Sequence, residues 1–421
     1  MNDNLEVWLD VDFLPELTRV GSLAHDRGQI RFFYARQWLD NPACFVLDPD
    51  LSLDSAPFFP KPESGNFGIF LDSSPDRWGQ TLMDRRELLE AKDAGRPARK
   101  LYAWDYLIGV QDATRQGALR FRLPGEENFL ADDKLSAPPV TSLRELESIA
   151  RELTNKHIHD LDALRKWLAV LVAPGASLGG ARPKANFMET DGSLWIAKFP
   201  SRYDEMDVAA WEMVTHILAD KAGVDVPPAM LKKFNSEYHT FCVKRFDRND
   251  SKRVFYASAM TMLKKSSSEN SSYLDLAQAV QFHCAKDKVE TDLEQLYRRV
   301  AFNVAVSNRD DHLRNHGFIL TKDGWTLSQA FDINPNRDKA EHVLNIDDRD
   351  NRPSLETVIS TADFYRLDQV RAEQIVDEVL NAVGTWKEVA KKIGVSAVEL
   401  ESVGGSFVLD RQPQPRMGVQ R

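Results

Sequence analysis

Apolar and polar positions follow two rhythms along the first half of the chain. Leu5–Phe13 and Gln29–Tyr34 are rich in β-branched, aromatic and alternating residues and predict strands, separated by the turn-forming Asp26-Arg27-Gly28. A loop rich in Pro, Ser and Lys follows around residues 54–65. The spacing of Trp78, Leu82, Met83 and Arg86 then predicts a helix opening near Ser73-Ser74-Pro75-Asp76, with Ser as N-cap and Pro in the first turn. Residues 124–140, with their prolines and charges, read as a linker. Helical spacing returns over Leu143–Thr154 and Asp160–Val172 and breaks at residues 174–184. Ala185–Glu189 and Leu194–Phe199 predict a hairpin with Asp191-Gly192 at its tip. A helix over Val208–Ala222 and strands ending at Phe241–Phe246 follow. From about residue 270 the spacing is mostly helical, so the last third is predicted to be a helical region.

Composition narrows the classes of function. The 421 residues carry 54 Lys+Arg against 64 Asp+Glu, a net charge of −10, which does not steer the whole chain to nucleic acid or anionic lipid. The longest apolar run, Trp167–Ala176, contains Pro174 and falls well short of the roughly 20 residues a membrane span needs. The N-terminal Met-Asn-Asp-Asn lacks the features of a signal peptide. Three scattered cysteines, Cys44, Cys242 and Cys284, have no metal-ligand spacing and predict a reducing compartment. A soluble, cytoplasmic protein is expected.

Three segments carry candidate chemistry, each weak alone but informative in order. The first is the Gly-rich break at residues 175–184, whose backbone N–H groups are suited to approach an anion. It matches neither the P-loop nor the dinucleotide fingerprint, and alone it reads rather as a flexible turn between a helix and a hairpin. The second is Lys198, ending the apolar strand Leu194-Trp195-Ile196-Ala197-Lys198. Such a lysine holds the α/β-phosphates in protein kinases, and Glu212 on the next helix is a candidate ion-pair partner. A lysine whose stem lies on the sheet and whose ammonium meets water is the ordinary alternative. The third is Arg309-Asp310-Asp311-His312-Leu313-Arg314-Asn315, which reproduces the R-D and the Asp-to-Asn spacing of kinase catalytic loops. Asp332 follows in Phe331-Asp332-Ile333, where a second metal-binding carboxylate is needed. A capped, solvated helix end explains one such polar cluster; the loop, the lysine and two acidic stations in this order favour phosphoryl transfer.

These residues resemble the HipA family of bacterial serine/threonine kinases, the toxins of HipBA toxin–antitoxin pairs. Ser177-Leu178-Gly179-Gly180-Ala181-Arg182-Pro183-Lys184 is similar to the family's Gly-rich loop. Phe241-Cys242-Val243-Lys244-Arg245-Phe246-Asp247-Arg248 resembles its hinge strand, Asp310–Asn315 its catalytic loop and Phe331-Asp332-Ile333 its metal site. The segment Phe67–Gly79, with Ser74-Pro75-Asp76-Arg77-Trp78-Gly79, is similar to a motif in the family's N-terminal part. Arg314 replaces the commoner lysine, and Asn334-Pro335 departs from many members.

The resemblance implies an α+β, two-lobed, protein-kinase-like fold. Residues 1–125 would form an N-terminal subdomain, 140–255 the N-lobe and 256–421 a helical C-lobe. It implies ATP and Mg²⁺ as cofactors, with Asp310 as general base and Asn315 and Asp332 as metal ligands. Lys198 would hold the phosphates, and Gly179, Gly180, Ala181, Arg182, Pro183 and Lys184 would cover them. The backbone of Lys244, Arg245 and Phe246 would meet adenine and Asp247 the ribose, with His312 also in the nucleotide site. Ser177 stands where the family phosphorylates itself, and a phosphate there would eject the loop. The implied substrate is a protein such as an aminoacyl-tRNA synthetase, with growth arrest and persistence as the consequence. The implied partner is a HipB-like helix-turn-helix antitoxin, through which alone DNA would be met. Two other readings fit the same residues: a catalytically silent co-repressor that binds this partner without turnover, and a kinase of a small hydroxylated metabolite.

Overall fold

The computed structural model describes residues 3–131, 137–155, 160–175, 180–249, 252–336 and 339–409. In chain order it begins with strands β1 (Asp3–Leu9), β2 (Thr18–Asp26) and β3 (Gln29–Tyr34), then helices α1 (Arg36–Leu39), α2 (Gly68–Asp72), α3 (Arg77–Asp93) and α4 (Ala103–Gly109). Strand β4 (Leu119–Arg122), helices α5 (Leu143–Leu153) and α6 (Leu161–Gly175) and strands β5 (Lys184–Met188) and β6 (Leu194–Lys198) follow. Next come α7 (Val208–Lys221), β7 (Ala229–Lys232) and β8 (Thr240–Lys244). The chain falls into two compact units. The first holds residues 1–209, 228–266 and 318–323, the second 210–227, 267–317 and 324–421. No helix among the described residues is long and apolar enough to cross a membrane.

The first unit is built on two antiparallel four-stranded sheets, ordered β3-β2-β1-β4 and β5-β6-β8-β7. The Asp26–Gln29 turn closes the β2–β3 hairpin as the sequence predicts, with Arg27 and Gly28 both at positive φ (50° and 83°). Its first strand partner, β2, is not visible as alternation: Arg19, Gly21, Ser22 and His25 interrupt the pattern, and its pairing with β1 and β3 decides the conformation. Phe32, Phe70 and Phe121 meet edge-on or tilted beneath this sheet, with centroids 5.6 and 5.9 Å apart. Under the second sheet, α3, α5 and α6 bury Trp78, Leu82, Leu146, Leu168 and Leu171 against Ala185, Phe187, Ala197 and Cys242. Each fully buried side chain of this size contributes about 1.5–3 kcal/mol. Helix α3, from the N-terminal third, is thus part of the core under the Gly-rich segment's sheet.

The cap of α3 differs from expectation. Asp76, not a serine, is its N-cap, accepting from the Arg77 N–H at 2.8 Å. The Ser73 and Ser74 hydroxyls instead donate back to the carbonyls of Ile69 and Phe70 and close the end of α2.

The second unit is helical, as the periodicity predicts. Strand β9 (Arg248–Asn249), β10 (Lys252–Arg253), β11 (Phe255–Ser258) and the short α8 (Ala259–Met262) precede it in the chain. Helices α9 (Tyr273–His283) and α10 (Val289–Ala305) then lead into the Arg309–Asn315 segment, followed by β12 (Gly317–Thr321) and β13 (Gly324–Leu327). The chain continues through α11 (Leu355–Ser360), α12 (Gln369–Val383), α13 (Trp386–Ile393) and α14 (Ala397–Val403). Helix α10 is the axis of this unit: Leu293, Leu296, Tyr297, Val300, Ala301 and Phe302 are fully buried. From Leu296 to Ala305 every residue of α10 is buried, Arg298, Arg299 and Asn303 included, which places this part of the helix in the middle of others. A second cluster forms where Trp386 stacks on Phe407 at 4.6 Å beside Trp211.

Candidate active site

In the first unit, the described end of the Gly-rich segment is gripped by the N-terminus of α3. The Gly180 N–H donates to the Asp76 carboxylate at 3.0 Å, and the Trp78 N–H donates to the Gly180 carbonyl at 3.0 Å. The Trp78 indole N–H donates to the Lys184 carbonyl at 2.9 Å. Gly180 has φ +77°, a conformation that favours glycine, and a Cβ there would stand 2.7 Å from the Lys184 Nζ, whose side chain would have to shift. Ala181 is exposed. The Arg182 guanidinium lies bidentate on Asp204 at 2.6 and 3.0 Å, and the Pro183 carbonyl accepts from the Phe199 N–H at 2.9 Å. Ser177 and Gly179 lie outside the described residues. The sequence motif at residues 74–79 therefore has a physical role that periodicity could not reveal: it holds one end of this loop.

Lys184 begins β5 and lies opposite Lys198, which ends β6. Lys184 is buried, and the half-buried Lys198 has its Nζ 5.7 Å from the Phe241 ring centroid. Glu212, on α7 in the other unit, is buried at 4 % exposure.

One hinge-strand assignment needs correction. Asp247 does not offer its carboxylate to a ribose: at 3 % exposure it accepts from Arg245 (2.8 and 2.6 Å), Arg248 (2.8 Å) and the Gly117 N–H (2.8 Å). Burial by itself would raise this carboxyl, but the two guanidinium charges outweigh it and hold the group far below the ordinary range. The main-chain N–H groups of Lys244 and Arg245 are likewise committed, donating to Pro228 and Leu194 carbonyls at 2.9 and 3.0 Å. The Arg245 side chain also donates to Asn186 and the Thr114 carbonyl. The cluster of alternating charges, which resembles a ligand-binding motif in sequence, is a buried ion network tying residues 113–117 to 245–248. Phe246 packs against Tyr256, with centroids 5.9 Å apart.

In the second unit, the Asp310 segment leaves the end of α10 through a constrained turn. Ser307 has φ 53°, and its carbonyl accepts from the Asn336 N–H at 2.8 Å. Asp310 is exposed, while its neighbour Asp311 is 3 % exposed and forms the hub beneath it. One Asp311 oxygen accepts from the Tyr273 hydroxyl (2.7 Å), the Asn303 amide (2.8 Å) and faces His316 Nε2 (2.7 Å). Asn308 extends the network by donating to Asn303 at 3.0 Å. Burial would raise the Asp311 carboxyl; His316 and the hydrogen bonds outweigh it and keep the group below its usual value. Sequence reasoning missed Asp311, because one acidic residue beside another looks like a solvated loop. Its signal was the Tyr and Asn placed on the inner faces of α9 and α10.

His312 and Asn315 flank a 3₁₀ turn over Leu313–Asn315, with the Asn315 N–H donating to the His312 carbonyl at 2.8 Å. His312 Nδ1 is buried without a hydrogen-bond partner. Asp332, partly buried, sits at φ 59°, and the Thr215 hydroxyl reaches the next carbonyl, Ile333, at 2.7 Å. Two non-glycine residues in the left-handed region, Ser307 and Asp332, bracket the candidate catalytic and metal stations. Such strain costs about 1–3 kcal/mol each and collects at functional sites. The bridge between Asn308 and Asn336 joins the two stations, and Arg309 donates to the Lys339 carbonyl at 2.7 Å. The donors fit a hard cation: an amide oxygen from Asn315, a carboxylate from Asp332, and the Asn334 Oδ1, buried without a partner two residues on. Among the described residues no group of three or more His, Cys, Asp or Glu side chains could hold a metal. Mg²⁺ commonly takes only one or two carboxylates and completes its shell with water and phosphate.

The fold and these stations define a class: a two-lobed, kinase-like α+β protein. Residues 176–386, half of the chain, match the family model of the HipA-like C-terminal domain. The chain belongs to the HipA family. Its fold is similar to that of HipA in the Shewanella oneidensis MR-1 HipA–HipB–operator DNA toxin–antitoxin complex. The TM-score is 0.66 at 17 % identity, over 96 % of this chain and 94 % of that one. The Helicobacter pylori proinflammatory kinase CtkA is a more distant neighbour, with a TM-score of 0.39 at 13 % identity over 53 % of this chain and 90 % of that one. No curated protein sequence matches the chain.

Proposed function

We propose that the protein is an ATP- and Mg²⁺-dependent kinase that phosphorylates a serine or threonine of a protein. The observation that carries this reading is the Asp310 loop. An exposed carboxylate stands on a buried Asp311 hub whose one oxygen meets three side chains, joined by backbone bonds to the segment bearing Asp332. Phosphoryl transfer needs placement and charge neutralisation more than covalent chemistry, and this is a rigid device for placement.

Asp310 takes the proton of the attacking hydroxyl. Asn315 and Asp332 hold Mg²⁺, which supplies charge neutralisation to the phosphate oxygens when bound. Lys198 carries the phosphate-binding charge, while Gly179–Lys184 lie over the phosphates. His312 and the Phe246 backbone belong to the nucleotide site. Ser177 is the self-modification site, where about two negative charges would expel the loop from a site that binds phosphates. By its family and its neighbour's assembly with HipB and operator DNA, the protein is a toxin–antitoxin component. Its partner is a helix-turn-helix antitoxin, and its target a translation factor such as an aminoacyl-tRNA synthetase. Its place is the cytoplasm, and its domains follow the boundaries 1–125, 140–255 and 256–421.

Incubation with labelled ATP, Mg²⁺ and cell extract tests this. Label should enter protein with the wild type, vanish with Asp310→Ala, and leave the kinase band itself with Ser177→Ala. If protein verified as unphosphorylated at Ser177 transfers no label, the reading is wrong and the silent co-repressor takes its place. Label entering only small molecules would instead make it a metabolite kinase.

A further inference from the structure

One charged residue in the second unit lies directly on the candidate base and belongs to none of the motifs. The Lys339 ammonium pairs with Asp310 Oδ1. This is more than a chance surface contact, because the lysine's backbone is anchored independently. Its carbonyl accepts from the guanidinium of Arg309, a residue only 9 % exposed, at 2.7 Å. Arg309 and Asp310 are consecutive, so one short segment holds Lys339 at both ends: by its main chain through the arginine and by its side chain through the aspartate. Both partners keep about half their side-chain surface open, 44 % for Lys339 and 54 % for Asp310. The pair is therefore within reach of an incoming substrate, unlike the buried Asp311 network beside it.

We propose that Lys339 is a catalytic residue of the phosphotransfer assigned above, the cation that meets the transferring phosphoryl group beside its base. The proposal rests on that functional reading. In the reaction, the substrate oxygen bonds to the γ-phosphorus as the bond from that phosphorus to the β–γ bridging oxygen breaks. The electron pair of the broken bond leaves on ADP, and the hydroxyl proton passes to Asp310. An anionic base must then work against an anionic donor. A cation held between carboxylate and phosphoryl oxygens removes that repulsion and offers N–H donors where charge collects. The motif's own cation, Arg314, is exposed, and among the described residues the cation that pairs with Asp310 is Lys339.

The experiment compares wild type, Lys339→Met, Lys339→Arg and Asp310→Asn in the labelled-ATP assay, with ATP–Mg²⁺ affinity measured in parallel. Lys339→Met should lower kcat by about 100- to 1,000-fold, the range expected for losing one such charge-stabilising donor. It should leave the ATP dissociation constant within about two-fold and the unfolding midpoint unchanged, as expected for an exposed pair. Lys339→Arg should recover part of the loss. A Lys339→Met protein as fast as wild type overturns the assignment. One faster than wild type also overturns it, and marks the lysine as a block on the base. A wild type that transfers nothing overturns the kinase reading and this assignment together, so the two failures are distinguishable.

Discussion

The Gly-rich edge of the first unit and the Asp310 loop of the second are held in opposite ways. At the Gly-rich edge the grip is made of three hydrogen bonds from the start of α3, around a glycine with φ +77°. Each such bond is worth about 1 kcal/mol net, and water can replace it where the group is partly open. Beneath the Asp310 loop, one buried carboxylate satisfies a phenol, an amide and an imidazole at once. Removing it takes the shared acceptor from all three in a buried site and leaves Asn303 only its longer bond to the Tyr273 hydroxyl. The first arrangement can release its loop at little cost, while the second loses its geometry only by unfolding locally. The self-modification proposed above for Ser177 would need this division: a detachable phosphate cover and a base that does not move.

The largest expected effect breaks the rigid side. Asp311→Ala should destabilise the second unit by about 3–5 kcal/mol, as removal of one partner of a buried charged network does. Asp311→Asn, which keeps the shape and part of the bonding, should cost less. Chemical denaturation of the two variants beside wild type measures both. Equal, small losses would show that the hub is not what holds the loop.

Acid should separate the two units. Burial pushes His342 down to about 4 from the ordinary 6.5, so it stays neutral in the fold while the unfolded chain takes a proton. The unfolded state then binds more protons, and the second unit loses up to about 3 kcal/mol as pH falls from 6.5 to 4. Asp311, held below its usual value, continues the loss further down. Asp48, in the first unit, has the opposite sign: burial raises it from 3.8 to about 6, against two backbone donors, so the folded state binds the proton first. Its contribution therefore improves as pH falls from 6 towards 4. Hydrogen exchange at pH 7 and 5 should show protection falling in α10 relative to the β1–β3 sheet. His342→Phe should flatten the second unit's response, and an unchanged slope would contradict it.

Two smaller effects sharpen the detachable side. Gly180→Ala meets both the positive φ and the Lys184 ammonium, at a cost of about 1–2 kcal/mol. Asp76→Ala removes the α3 cap and the Gly180 bond together, for about 1 kcal/mol of stability. Both should weaken ATP binding several-fold with a smaller change in kcat, seen by titration and steady-state assay. A loss confined to kcat would place α3 on the wrong side of the comparison.

Much of this was readable in the residues, and the remainder shows where reading stops. Helical periodicity and turn chemistry located α3, α5, α6 and the β5–β6 hairpin, because those elements bury one face and turn at Asp191-Gly192. Strands β2 and β4 were missed: their conformation is imposed by pairing with β1 rather than by their own alternation. The Asp310–Asn315 motif stood out because spacing along a short loop is a local property. Lys339 and Tyr273 did not, since each reaches the loop from 29 or 38 positions away. Asp247 misled for a related reason. An Arg-Phe-Asp-Arg string has one appearance whether its carboxylate faces a ligand or two guanidinium groups, and only burial decides between them.

The central claim, that Asp310 performs the chemistry on a frame that binds nucleotide without it, is tested most directly by one paired measurement. ATP–Mg²⁺ affinity and single-turnover transfer to protein are recorded for wild type and Asp310→Asn. The account predicts equal affinity within about two-fold and transfer reduced by at least about 100-fold, the contribution of a general base. Transfer by Asp310→Asn at the wild-type rate would contradict it.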